Sequence, residues 1–185
     1  FTILNKYLMK SRNGVVNTEY KQNNGFGRFY AVKSISMQSM PREIRHTIAK
    51  ELYVDIDVVN AHPVILMHLC KNKDMSPKFL KKYIKNRDKM LERLKVDKDS
   101  GKTLILSMIN GGKSAYESLV YKPKFLIEFK KEIEIIHKMF SMDDAFEKHK
   151  DERESQGYKK NHRASYINTL LCDFENRILQ CMYGF

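Results

Sequence analysis

The chain has 185 residues, and its 34 Lys and Arg outnumber 22 Asp and Glu to give a formal net charge of +12. That length suits one moderate domain or two small lobes with a real core. Its 42% apolar content, without repeats or low-complexity runs, excludes a disordered or fibrous chain. So strong a positive balance calls for a partner or a solubility role, and nucleic acid is the commonest reason, because lysines that neutralise phosphates release condensed counterions.

In chain order, the first thirty residues are polar, with a turn at Asn23-Asn24-Gly25 and a glycine at Gly27 that permits close backbone approach. Pro41 suits a helix start, with Ile44, Ile48 and Ala49 on one side. Leu52 to Asp57 reads as a strand. Alternation would point Asp55 and Asp57 to one face and Val54 and Ile56 to the other, a pair of acids suited to a divalent metal. Pro63 opens a helix through Cys70 that is too apolar all round to lie exposed.

Ser76-Pro77 starts the next helix, with Leu80, Tyr83, Ile84, Leu91 and Leu94 at the helical period. Ser100-Gly101 introduces another. It gathers Leu104, Ile105, Met108 and Ile109 on one side and Lys102, Thr103 and Asn110 on the other, and Gly111-Gly112 loosens or ends it. Pro123 starts a long amphipathic helix carrying Phe125, Phe129, Ile133, Ile136 and Phe140. Residues 141–162 are dense in charge and read as an exposed tip or connection. A final helix from Arg163 to Met182 carries Ile167, Leu170, Leu171, Phe174, Ile178 and Leu179. The expected class is α+β, mostly helical around a small antiparallel sheet.

Cys70, Cys172 and Cys181 fit neither metal-ligand nor redox spacing, and their odd count suggests reduced, intracellular thiols. The six histidines are scattered and form no zinc pattern. No apolar run is long enough to span a bilayer, so no membrane is expected. The start at Phe1 suggests a piece of something longer.

Four stretches in order resemble family A DNA polymerases, the group of bacterial DNA polymerase I. Gly27-Arg28 is similar to the family's TGR element. Ser36-Met37-Gln38-Ser39-Met40-Pro41 with Arg45 matches its NLQNIP segment and following Arg. The stretch DVVNAHPVILMHLC from Asp57 resembles the first catalytic motif, with Asp57 on the metal-binding Asp and His68 on a later His. Lys102 leading to Asn110-Gly111 resembles the fingers helix, and Asn168 falls on a helix that the family sets beside the primer terminus.

The resemblance implies a right-hand polymerase, with residues 25–75 and 163–185 palm-like and 76–162 fingers-like. It implies template-directed nucleotidyl transfer to a primer 3′ end with two Mg²⁺ ions. The partners would be primer-template nucleic acid, nucleoside triphosphates and the rest of a longer polymerase, from a virus or mobile element. Asp57 would be catalytic and hold metal, with Asp55 as a further metal ligand. Lys102 would meet the triphosphate as a catalytic cation, with Thr103 and Lys113 as lesser candidates. His62, Asn110 and Gly111 would line the nucleotide, and Arg28, Gln38, Arg45 and Asn168 would hold the nucleic acid.

The sequence departs from that pattern where His62 replaces the Glu that stacks under the nucleotide sugar, and where Asn110 or Gly111 replaces the fingers aromatic. Phage-type single-subunit RNA polymerases, relatives with the same hand, also vary at these places. Lys102, eight residues before Asn110, has their lysine-to-Tyr-Gly spacing. The chain ends at Phe185 without the family's second catalytic carboxylate motif. Sugar preference therefore stays open, as does a basic, non-catalytic nucleic-acid-binding module.

Overall fold

The computed structural model describes residues 2–32, 35–54 and 56–183. The chain forms two compact units, residues 1–59 and 60–185. It is α+β in class: mostly helical, with one two-stranded antiparallel sheet. No described helix is long and apolar enough to cross a membrane.

The first unit holds helix α1 (Thr2–Leu8), strands β1 (Tyr20–Gln22) and β2 (Phe29–Ala31), and helix α2 (Arg42–Ala49). The strands pair with Tyr20 opposite Ala31 and Gln22 opposite Phe29. The expected Asn-Asn-Gly turn joins them, with Asn24 in the left-handed region at φ 54°. Asparagine tolerates that region because its short amide can bond locally. Helix α2 begins after Pro41 as expected, but buries none of its residues.

The described residues of the stretch from Leu52 to Asp57 do not form the expected strand. Leu52–Val54 and Ile56–Val59 carry no ladder, and Leu52, Tyr53, Val54, Ile56 and Val59 stand exposed. Alternating composition alone cannot make a strand, because its backbone amides need a neighbour to pair with. Among the described residues, β1 and β2 pair only with each other. Asp55 lies outside the described residues.

The second unit is helical: α3 (Ala61–Lys71), α4 (Lys78–Lys85), α5 (Arg87–Glu92), α6 (Lys98–Ile109), α7 (Ser114–Glu117), α8 (Lys124–Phe140), α9 (Asp144–Ser155) and α10 (His162–Tyr183). Helix α3 packs on α4, α6 and α10, while α8 packs on α4, α6 and α10. Their shared core includes Leu66, Leu80, Leu94, Ile105, Ile109, Leu126, Phe129, Ile136, Ile167 and Leu171. The apolar stripe read on α8 is buried throughout, and Tyr83 packs its ring against Phe129 at 5.9 Å. A second device fixes α4 to α8. Glu132 accepts hydrogen bonds from Phe79 N–H at 3.0 Å and Leu80 N–H at 2.8 Å. A carboxylate thus satisfies two amides that every helix start leaves without a partner in its own helix.

Three boundaries differ from expectation. The helix after Pro77 breaks at Asn86 into α4 and α5. Helix α6 starts at Lys98, before Ser100-Gly101, because Asp97 caps it by accepting from Asp99 and Ser100 N–H. Gly101 therefore sits inside the helix, 3.2–3.3 Å from the methyl ends of Leu91 and Leu94 at its missing Cβ, so an added side chain would require those leucines to give by a few tenths of an ångström. Residues 144–155 form α9, which docks Phe146 edge-on against Tyr166 at 5.6 Å.

The turn after α6 sets where that helix ends. Gly111 has φ +80°, and a Cβ there would lie 2.5 Å from Ala164 Cβ and 2.8 Å from the Ala164 backbone. Both strain and overlap oppose a side chain, so Gly111→Ala is expected to cost about 2–4 kcal/mol. Urea denaturation of the two proteins measures it. A loss below about 0.5 kcal/mol, the size of an ordinary surface change, would mean that the turn and α10 yield freely.

Candidate functional site

Three helices converge on one side chain. Asn60, at φ 56°, turns the chain into α3, and the first turn of that helix carries His62 into the interior. Asn110 ends α6, and its side-chain Oδ1 lies 3.1 Å from His62 Nδ1. An amide oxygen only accepts, so in this pairing Nδ1 carries a proton and donates it to Asn110. The other ring nitrogen, Nε2, faces α10, 3.7 Å from Glu175 Oε2. Cys172 stands one helical turn before Glu175, and ligand atoms of His62, Cys172 and Glu175 all lie within 4.8 Å of one another.

The electrostatics at His62 are a contest. Burial opposes a charged ring, but Cys172, Glu175 and Asn110 together favour it more strongly. The balance lifts the imidazole from its ordinary 6.5 to about 9. His137 shows the opposite result nearby. Its Nε2 donates to the Ile109 carbonyl at 2.8 Å, tying α8 to the last turn of α6. Burial pushes this ring down and Arg163 adds to that; the hydrogen bond to Ile109 and the charge of Glu134 resist only in part.

The other residues expected in the site divide between the two units. Lys102 lies on α6, two turns before Asn110, and pairs with Asp99 at 2.7 Å near the solvent. Thr103 is exposed beside it. Gly111 is accounted for by its fit against Ala164. Asn168 is exposed on α10. Lys113 and the preceding Gly112 belong to a Gly-Lys-Ser sequence. That sequence follows α6 and enters the four-residue α7, so it lacks the strand–loop–helix geometry by which a P-loop cradles phosphate.

In the first unit, Asp57 is exposed outside any regular element, so a shared strand face with Asp55 no longer supports its metal role. Arg28 is exposed just before β2. Gln38 spends its amide on that strand, donating to Phe29 O at 2.7 Å and accepting from Ala31 N–H at 3.3 Å. Arg45 borders an open groove on α2 with Arg42, His46, Lys50 and Tyr53.

Sequence reasoning brought out His62 and Asn110 but missed Cys172 and Glu175. The one available signal was their i, i+3 spacing, which puts both on one face of a helix. Nothing in the sequence linked that face to His62, which lies more than a hundred positions earlier.

No known family model matches the chain, and no solved structure matches it. Among curated proteins it is similar to "Putative helicase V13" of Sputnik virophage. The two are 33% identical over 172 residues, which cover 86% of this chain and 22% of the relative. The chain thus spans about a fifth of the length of the curated relative it matches.

His137 generates a test of the packing around this site. Its depressed value means that the folded state resists a proton the unfolded chain accepts near pH 6.5. The stability it contributes is present above that pH and is lost as pH falls toward the folded value. Between pH 7.5 and 5.5 the thermal midpoint should fall further in the wild type than in His137→Gln, which keeps an amide donor but does not titrate. Parallel pH curves would remove His137 from the acid response.

Proposed function

We propose that this chain is the palm-and-fingers portion of a template-directed nucleotidyltransferase, most like family A DNA polymerases, within a longer viral or mobile-element replication protein. One observation carries the reading. His62 and Asn110, drawn from two separate motifs, were each matched to a position flanking the incoming nucleotide, and they are hydrogen-bonded across 48 positions of sequence. Lys102 adds to it. A rise of 1.5 Å per residue sets this cation about 12 Å along α6 from Asn110, room for a triphosphate between sugar and ammonium. Its exposed i, i+3 pairing with Asp99 is worth only about 0.3–0.5 kcal/mol, so phosphate oxygens displace it cheaply.

Mg²⁺ takes hard oxygens and is often held by one or two carboxylates plus phosphates and water. The exposed Asp57 carboxylate fits that demand, whereas the His62, Cys172 and Glu175 set does not. When bound, the two ions would activate the primer hydroxyl and steady the triphosphate. The chain itself would bind the triphosphate through Lys102 and shape the sugar pocket with the His62–Asn110 pair.

A second reading draws on the charge of +12 and on the helicase name of the virophage relative. It is a basic nucleic-acid-binding module that serves a motor elsewhere in its protein, with structural acids.

Primer extension with Mg²⁺, assayed in the full-length protein, separates the two. Asp57→Ala should cut extension at least about 100-fold, the loss of a few kcal/mol of transition-state stabilisation. His62→Glu should shift the ratio of ribonucleotide to deoxyribonucleotide incorporated. Equal extension by the wild type and Asp57→Ala would remove Asp57 from the chemistry. No extension at all, with salt-sensitive binding that survives without Mg²⁺, favours the second reading.

A further inference from the structure

The junction of α3 and α10 contains a mixed set of donors of which the polymerase reading uses only His62. His62 and Cys172 are both buried, while the Glu175 side chain keeps about a quarter of its exposure, 23%. The Nε2 to Oε2 separation of 3.7 Å is too long for a good hydrogen bond. It is close to the spacing of two donors on one ion. Tetrahedral Zn²⁺ with bonds of about 2.0–2.3 Å holds neighbouring donors roughly 3.3–3.8 Å apart. The widest pair here, within 4.8 Å, needs a closure of only about 1 Å to reach that range.

The orientation of the imidazole points the same way. A histidine that ligates metal through one nitrogen almost always donates the other N–H to a carbonyl or carboxylate, which fixes the tautomer and strengthens the ligand. Asn110 Oδ1 fills that role on Nδ1 and leaves Nε2 directed at Cys172 and Glu175. Thiolate, imidazole and carboxylate together suit a borderline divalent ion and not Mg²⁺.

We propose that His62 Nε2, Cys172 Sγ and Glu175 form a three-ligand site for Zn²⁺ or a similar borderline divalent ion. Asn110 orients the histidine from behind, and a fourth position opens on the Glu175 side. Binding displaces to solvent both the thiol proton of Cys172 and the proton on His62 Nε2, and joins α3 to α10 through the ion. The inference rests on this geometry alone and stands whether or not the chain belongs to a polymerase.

Co²⁺ serves as the probe, titrated into reduced, metal-stripped, untagged protein without nucleotide or nucleic acid. One equivalent should bind, with a thiolate-to-cobalt charge-transfer band in the near ultraviolet and the strong visible bands of a tetrahedral ion. Stoichiometric Zn²⁺ should bleach both and raise the thermal midpoint. Cys172→Ser should lose the charge-transfer band. Cys181→Ser, which removes an exposed thiol, should keep it. Cys70 does not compete, since burial first, and then the charge of Glu132, pushes its thiol up to about 12.

Asn110→Leu should weaken Co²⁺ about 10–100-fold through loss of its carbonyl partner, while the band is retained at saturation. Circular dichroism checks that each variant is folded. If Cys172→Ser unfolds, His62→Gln and Glu175→Gln carry the test, and each should weaken binding. Absence of the band in folded wild type, or its survival in folded Cys172→Ser, would overturn the site and leave a buried cluster with no metal.

Discussion

The close approach of the α6 terminus to α10 is the constraint on which the second unit depends. Gly111 fits against Ala164 with no room for even one methyl group. That contact stops α6 at the point where Asn110 reaches His62. His137 holds the same terminus from the α8 side by donating to the Ile109 carbonyl. Two small features, a missing side chain and one imidazole, thus determine which polar groups the three helices bring together. Larger residues supply the cohesion around them, but Leu66, Ile109 and Leu171 could pack in several rotations of these helices.

Polar groups in this unit are placed where they resolve conflicts of helix ends. Glu132 satisfies the open amides of α4 from a neighbouring helix, a tertiary counterpart to the local cap that Asp97 provides for α6. His62 and His137 show how similar burial can have opposite consequences. His62 meets acceptors and a carboxylate on two sides and holds its proton tightly. His137 meets one carbonyl and the opposed charges of Glu134 and Arg163, too little to offset its burial, and its proton is held less tightly than usual.

Much of the helical unit was legible from period and punctuation. The apolar stripe of α8, the buried character of α3 and the proline starts of α4 and α8 all follow from side-chain spacing, a local property. Misreadings arose where an outcome depends on a distant partner. The segment around Asp57 has the composition of a strand, yet a strand is a relation between two segments, and only one of them was in view. The capping power of Asp97 moved the start of α6 past a glycine that reads as a boundary. For the candidate site, motif order supplied His62 and Asn110 one at a time. Their union with Cys172 and Glu175 is a property of helix packing, which no linear spacing encodes.

The bare segment before Asn60 has a practical consequence. Leu52, Tyr53, Val54, Ile56 and Val59 expose apolar side chains within eight consecutive positions, with Val54 at 86% of its full accessibility. Exposed apolar side chains on a segment outside any sheet are adhesive toward other chains. The repulsion among molecules that each carry +12 opposes that adhesion, and added electrolyte screens it. Concentrated preparations of this polypeptide should therefore stay dispersed in dilute buffer and cluster as ionic strength rises, the reverse of a protein clumped by opposite charges.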